Sequence, residues 1–427
     1  KMLCAYYDRS CDSRELFKGL EIESHPSFEK HLNKYPVIYV DMTKFITDFG
    51  HEDKIVDHIQ ASLISDLKKA YPQVELSDSP RIMDILDELH TTLGDQFVVI
   101  IDEWDAICRE FDSESIAMRD YVNLLRRMFK SEDAYRVFVG VYMTGIMPIR
   151  KYETQSSLNN FWEYSMVKPE PLASYFGFTK AEVQALCEKH NMPFEDLEKW
   201  YDGYSIGDEH SIFNPASVMK AIEKRKCRSY WTSTSSFDAV AKYIQLNLEG
   251  LKDDIIHMLG GGFCKVKSDR FENDPSKIRT KNDVMMMLIH LGYLTFNDED
   301  ETCHIPNYEV SSQIEAAIES CQWHEVMNAL DASDQLLDDL LHMDEEAVAH
   351  GIAKVHDENV SVLKYNNENS LSCVITLAFY TAKAKYNIIR EFPTGRGFAD
   401  LVFIPWRNVV SPAIVVELKW NQSAETA

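Results

Sequence analysis

Phe97-Val98-Val99-Ile100-Ile101-Asp102-Glu103-Trp104-Asp105 is the stretch on which the fold turns. An unbroken apolar run rich in β-branched residues, stopping at acids, reads as a strand covered on both faces. The flanks agree. Upstream, Val37-Ile38-Tyr39-Val40-Asp41 is a second such run, and downstream Val137-Phe138-Val139-Gly140-Val141 is a third. Between them Val56, Ile59, Leu63, Ile64 and Leu67 line one helical face, Ile82, Ile85, Leu86 and Leu89 line another, and Ile116 to Phe129 form a further helix. Buried strands alternating with helices indicate an α/β domain built on a parallel sheet.

The acids that close the central run carry the first chemical expectation. Open α/β sheets bind ligands at the carboxyl ends of their strands. Asp102 and Glu103 have the Walker B arrangement, in which Asp102 holds magnesium through water and Glu103 polarises the water that attacks a nucleotide. The plain alternative is a strand that ends in solvated acids. Thr144, in Met143-Thr144-Gly145, resembles the polar sensor of such ATPases. A P-loop, Gly-x-x-x-x-Gly-Lys-Ser/Thr, is missing: none of the 16 glycines is followed by Lys. A first strand and P-loop are expected upstream of Lys1, with the helix near Leu3 to Tyr7 as the remnant of the P-loop helix. ATP is expected as a ligand only where that upstream segment is present.

A second constellation lies near the other end. Gly395-Arg396-Gly397-Phe398-Ala399-Asp400-Leu401-Val402-Phe403 is followed, after a polar connection, by Ile414-Val415-Val416-Glu417-Leu418-Lys419. An Asp opening one apolar strand and a Glu-x-Lys closing the next can gather two carboxylates and an ammonium at one end of a sheet. Carboxylates are hard oxygen ligands for magnesium or manganese, the ion lowers the pKa of bound water, and a lysine steers that water or steadies a phosphate. Glu417 and Lys419 share one face because strand side chains alternate with period two. Glu417 follows a run of apolar residues at what is expected to be a buried edge. The Gly-Arg-Gly turn lets backbone approach a ligand, with Arg396 able to contact phosphate. A surface ion pair is the bland reading of a lone Glu-x-Lys.

This segment resembles the PD-(D/E)XK nuclease superfamily, whose pattern is an Asp followed by Glu-x-Lys on paired strands. The resemblance implies that Asp400 and Glu417 bind the metal and that Lys419 positions water. It also maps the superfamily's first acidic position to Glu368; a first-turn residue favoured by the helix dipole is the equal alternative there.

The whole chain resembles the AAA-ATPase-like proteins fused to a PD-(D/E)XK domain in bacteria and archaea. The matching stretches include Glu15 to Leu20, Tyr35 to Asp41, Asp102 to Asp105, Thr144 to Ile146, Ser157 to Phe161, Trp200 to Tyr204, Asn214 to Val218 and Tyr230 to Thr234. The resemblance implies an ATP-regulated, metal-dependent nuclease. Its rivals are a regulatory ATPase whose nuclease-like module only binds, and an interaction scaffold with both sites idle. The expected architecture is α/β: a P-loop ATPase-like parallel sheet core over 1–165, a helical and winged-helix middle over 166–322, and a PD-(D/E)XK nuclease-like α/β module over 323–427, cut short at its end.

Composition bounds these readings. With 69 acidic against 44 basic residues the formal net charge is −25, which argues against coating DNA through bulk electrostatics and makes any nucleic-acid contact local; the nuclease resemblance implies that contact at the C-terminal module. Nine cysteines lie singly without a Cys-x-x-Cys pair, so reduced thiols in a cytoplasm are expected and a structural zinc is not. No apolar run reaches membrane-spanning length, and Lys1-Met2-Leu3-Cys4 lacks signal-peptide architecture; the chain is read as beginning mid-protein.

Between the two constellations the pattern is helical. Phe178 to Cys187 and Phe194 to Trp200 read as short helices, with Tyr201 and Tyr204 as core or lid aromatics rather than ligand stackers. Asp283 to His290 reads as an amphipathic helix. A strand, the acidic turn Asn297-Asp298-Glu299-Asp300-Glu301 and a second strand follow, the trace of a winged helix. So acidic a turn repels phosphate, so a protein-contacting or packing wing is expected there rather than a DNA-reading one. Gly260-Gly261-Gly262 reads as a flexible connection, and His290, His304 and His324 as satisfied or surface histidines. Trp323 to Val355 reads as a helical lead-in, followed by a helix over Ser370 to Tyr380 and a strand over Tyr386 to Phe392.

Overall fold

In the computed structural model the three apolar runs form one parallel sheet in the order β1 (Val37–Asp41), β2 (Phe97–Asp102), β3 (Phe138–Met143). The structure describes residues 1–50, 53–112, 114–147, 158, 160–231, 243–246, 248–259, 261–268, 271, 278–320, 324–359, 375, 378–393, 397–405 and 410–418. Strand β2 is central and buried from Phe97 to Ile101, as its unbroken β-branched run requires. The register sets Asp41 beside Asp102 at the carboxyl ends.

The helices of this part are α1 (Met2–Tyr7), α2 (Phe28–His31), α3 (Met42–Phe49), α4 (Ile55–Ala70), α5 (Ile82–Leu93), α6 (Ala106–Glu110), α7 (Ile116–Phe129) and α8 (Ala134–Val137). Their starts are encoded locally. Asp41 caps α3 by accepting from the Thr43 N–H at 3.1 Å, and Ser115 caps α7 by accepting from the Met118 N–H at 3.1 Å. Ile59, Ile82, Ile85, Leu86 and Leu89 pack with Phe97, Val99 and Ile101 in one core. Each such buried side chain contributes about 1.5–3 kcal/mol relative to exposure.

Contacts divide the chain into two units: Lys1–Glu163 with Glu272–Ile278, and Tyr164–Phe271 with Arg279–Ala427. The second unit opens with α9 (Lys180–His190), α10 (Phe194–Tyr201) and α11 (Pro215–Lys224) beside an antiparallel sheet of order β4-β6-β5, formed by β4 (Phe178–Thr179), β5 (Tyr204–Ile206) and β6 (Glu209–Phe213). Helix α9 starts two residues later than its apolar pattern suggests. Phe178 and Thr179 pair with β6, and Thr179 with Glu182 forms a capping box. Tyr201 and Tyr204 are buried, as core aromatics should be.

Next come α12 (Leu251–Leu259), α13 (Lys281–His290), α14 (Tyr308–Ser320) and a sheet of order β7-β9-β8, from β7 (Cys264–Lys265), β8 (Thr295–Asn297) and β9 (Thr302–His304). The expected order of helix, strand, tight turn and strand is present. Helix α13 is not amphipathic, however: Val284 to Ile289 are all buried, because six successive apolar residues leave no polar face. His290 and His304 are also not ordinary surface residues, since burial pushes both imidazoles down to about 4. Nor is Gly262 a loose connection. A Cβ there would overlap the His257 ring, so the glycine lets backbone lie against imidazole.

The C-terminal part holds α15 (His324–Leu341), α16 (Glu345–Asn359) and an antiparallel meander of order β10-β11-β12, from β10 (Tyr386–Pro393), β11 (Phe398–Pro405) and β12 (Ile414–Val416). The single helical lead-in is thus two helices, broken where Met343 takes φ 60°. Most of the helix expected over Ser370 to Tyr380 lies outside the described residues, and Tyr380–Ala384 is a 3-10 turn. Leu336, Leu337, Val355, Phe379, Leu401 and Phe403 form this core. The Tyr380 and Ser311 hydroxyls lie 2.7 Å apart, and the Thr381 N–H donates to Ser333 Oγ at 3.1 Å. Among the described residues no helix is long and apolar enough to cross a membrane.

Candidate functional site

At the carboxyl end of β2 the Thr144 hydroxyl donates to Asp102 Oδ1 at 2.6 Å, and the Tyr39 hydroxyl donates to Asp102 Oδ2 at 3.1 Å. Tyr39 reaches this point because it lies on β1, whose register runs alongside β2. Thr144 reaches it because its N–H donates to Ile101 O at 2.9 Å, continuing the β2–β3 ladder past Met143. The Thr144 hydrogen bond holds the Asp102 carboxyl below its ordinary range, with help from Tyr39 and against partial burial. Burial and the bond to Asp102 push the Tyr39 hydroxyl up to about 12. Asp102 is therefore an anion at neutral pH.

Glu103 turns away from the strand in the left-handed region, at φ 52°. Its carboxylate pairs with Arg109 from α6, and Arg109 Nε also lies 3.2 Å from Asp105 Oδ2. Burial raises the Glu103 carboxyl above its ordinary range despite that guanidinium. Asp105 is fully buried and accepts from the Ile146 N–H at 3.3 Å and the Met147 N–H at 2.9 Å. Gly145, which precedes both donors, is required to be small. A Cβ there would overlap Asp105 Oδ1 and stand 2.7 Å from the Trp104 ring.

The structure thus brings Asp102 and Thr144 together, with Glu103 next in the chain. Tyr39 and Arg109 were not singled out from sequence. Tyr39 precedes Asp41 by two, so alternation puts both on one face of β1. Arg109 follows Asp105 by four, the spacing of neighbours on a helix.

The second constellation lies on the meander. Leu401 faces Val416 in the last β11–β12 pair, so Asp400 and Glu417 are the next residues along, at the same end of the sheet and just past the ladder. Asp400 Oδ2 accepts from the Leu418 N–H at 2.6 Å. Glu417 is exposed, which corrects the expectation of a buried edge: β12 ends at Val416, and the chain has left the ladder there. Glu391, not anticipated from sequence, lies on β10 between the pairs Arg390–Leu401 and Phe392–Ala399, where it takes φ 51° and the ladder to β11 skips a pair. Arg396, Glu368 and Lys419 lie outside the described residues. Among the described residues no group of three or more His, Cys, Asp or Glu side chains is arranged to hold a metal ion.

Residues 1–154 match the AAA-ATPase-like family model, described as a predicted AAA-ATPase. The parallel sheet and the Asp102 site both fall within that match. It ends before the meander and so bears on the first unit alone. No curated protein matches the chain. Among solved structures, the ORC2 protein of Aeropyrum pernix, in ADPNP-ADP complexes, is similar at 13% identity with a TM-score of 0.30, over 67% of this chain and 78% of that one.

Proposed function

We propose that the first unit is the magnesium-and-water side of an ATPase site. The observation that carries this reading is the ionised Asp102 at the end of the central strand, held by Thr144 and Tyr39 and followed by Glu103. An anionic, part-solvated carboxylate fits a magnesium ion bound through water, and the ion would offset charge on the phosphates. Glu103 would take the proton of an attacking water, a task suited to a carboxyl raised by burial. It must first leave Arg109. Thr144 keeps Asp102 oriented.

No P-loop occurs in these 427 residues, so the phosphate cradle and its lysine are contributed by other sequence or by a partner. The chain by itself then binds ATP weakly. Calorimetric titration with ATP and magnesium is the test. Absence of micromolar binding is the expected result, and micromolar binding by this chain overturns the incomplete-cradle reading. Where the cradle is supplied, Glu103→Gln should retain ATP without turnover; normal hydrolysis would remove Glu103 from the base role.

A second reading concerns the C-terminal sheet, supported by the β11–β12 register, which brings Asp400 and Glu417 to the same end of that sheet, and by the Leu418 N–H bond to Asp400 Oδ2. It is metal-dependent hydrolysis of nucleic-acid phosphodiesters, gated by the nucleotide state of the first unit. Asp400 and Glu417 would be the carboxylate ligands, joined by Lys419 for water, Glu368 for the metal and Arg396 for phosphate. The acidic turn at 298–301 suits a protein partner. A module that binds without cleaving is the rival, and cleavage by the purified protein separates the two.

A further inference from the structure

Nine singly scattered cysteines give no hint of pairing in sequence, but the fold pairs two of them. In the β7–β9 ladder Cys264 lies directly opposite Cys303. The Val266 N–H donates to Glu301 O at 2.9 Å, two positions along the same register. Hydrogen-bonded and non-hydrogen-bonded pairs alternate in an antiparallel ladder, so Cys264 and Cys303 are a hydrogen-bonded pair with Cα atoms about 5.5 Å apart. Disulfides span Cα separations of about 4.4–6.8 Å. Both side chains project to the same side of the sheet. Cys264 Sγ donates to Asp254 O at 3.5 Å and Cys303 Sγ to Met258 Sδ at 4.0 Å, so both sulfurs face helix α12. Neither is oxidised here.

We propose that Cys264 and Cys303 are a redox-responsive pair that closes into a cross-strand disulfide under a peroxide oxidant. The Cys264 thiolate attacks hydrogen peroxide, giving a sulfenic acid and hydroxide, which takes up the proton the thiol released and becomes water. The Cys303 sulfur then attacks the sulfenic sulfur, the S–S bond forms and a second water leaves. In total two thiols lose two protons and two electrons, and one peroxide becomes two waters. The order follows from position. Cys264 lies on the edge strand and is 7% exposed, whereas Cys303, on the middle strand, is fully buried and burial pushes its thiol up to about 12. Facing side chains of a hydrogen-bonded pair stand wider than the ideal Cβ separation, so the bond is strained and readily reduced, the property of a reversible switch. Closure draws both sulfurs off α12 and ties the two-residue edge strand to its neighbour.

The test treats the native full chain with hydrogen peroxide, quenches with an alkylating agent, and maps cysteine peptides by mass spectrometry. The expected result is a linked Cys264–Cys303 peptide, lighter by two hydrogens and released by dithiothreitol. Cys303→Ala should abolish it while the exposed Cys11 still oxidises; should that variant fail to fold, Cys264→Ala tests the same bond. Alkylation of both residues after the oxidant, linkage of either to another cysteine, or linkage only after denaturant overturns the proposal.

Discussion

The Thr144 hydroxyl donates to Asp102 Oδ1 at 2.6 Å, tying the carboxyl ends of adjacent parallel strands through one charge-assisted hydrogen bond. Because this bond is the leading cause of the depressed Asp102 pKa, its stabilisation is present above the unfolded carboxyl pKa and is lost as pH falls through the folded value. Thr144→Val should therefore destabilise by about 1 kcal/mol at pH 7, a figure kept low because Asp102 is partly solvated. The deficit should shrink in acid. Urea unfolding of both proteins at neutral and acid pH checks this, and an equal deficit at both would reject the electrostatic origin.

Gly145→Ala is expected to cost about 2 kcal/mol or more, since the added methyl overlaps a buried carboxylate that cannot move off its two N–H donors. Thermal melting reads it. A melting temperature within error of the parent would mean that the Asp105 turn yields freely.

Glu309 is fully buried, and its Oε1 accepts from the Tyr230 N–H at 2.6 Å and the Trp231 N–H at 3.2 Å. Burial raises its carboxyl above the ordinary 4.5. A raised folded pKa contributes stability that is full below the unfolded value and lost as pH rises through the folded one. Glu309→Gln keeps an acceptor and removes the charge, so it should flatten that decline and match or exceed the parent at pH 7. Glu309→Ala leaves two donors unpaired and should cost about 2 kcal/mol. Stability against pH for the three proteins is the measurement; an unaltered slope in the glutamine variant rejects the assignment.

If the C-terminal sheet cleaves nucleic acid as proposed, Asp400→Asn should abolish that manganese-dependent cleavage while leaving the melting temperature within a few degrees, because it would remove an anionic ligand at nearly constant volume. Undiminished cleavage moves the chemistry elsewhere.

The parallel sheet was legible because β1, β2 and β3 are unbroken apolar runs, and in β1 and β2 the run stops at an Asp. Asp102 and Thr144 were each visible as residues closing adjacent strands, but the hydrogen bond between them was not. What sequence did not disclose is tertiary. The partners Tyr39 and Arg109 are chosen by sheet register and helix pitch together, and the hand of the backbone at Glu103 has no signal in a residue type that rarely adopts it. Helix α13 was misread because VMMMLI satisfies an amphipathic template on one face while filling the others as well. Glu417 was misread because an apolar run says where a strand lies and not where its ladder stops.

The Tyr380 hydroxyl meeting Ser311, and Thr381 meeting Ser333, bear on how the second unit comes apart. These bonds join α14 and α15 to the turn that leads into the meander, and Tyr380 is buried. Separating the meander from the middle segment would strand hydroxyls away from any partner and open an apolar face at the same time. The sequence suggests a seam near residue 322, but the two sides of it should melt as a single cooperative transition, and a protease cut there should leave fragments that stay associated.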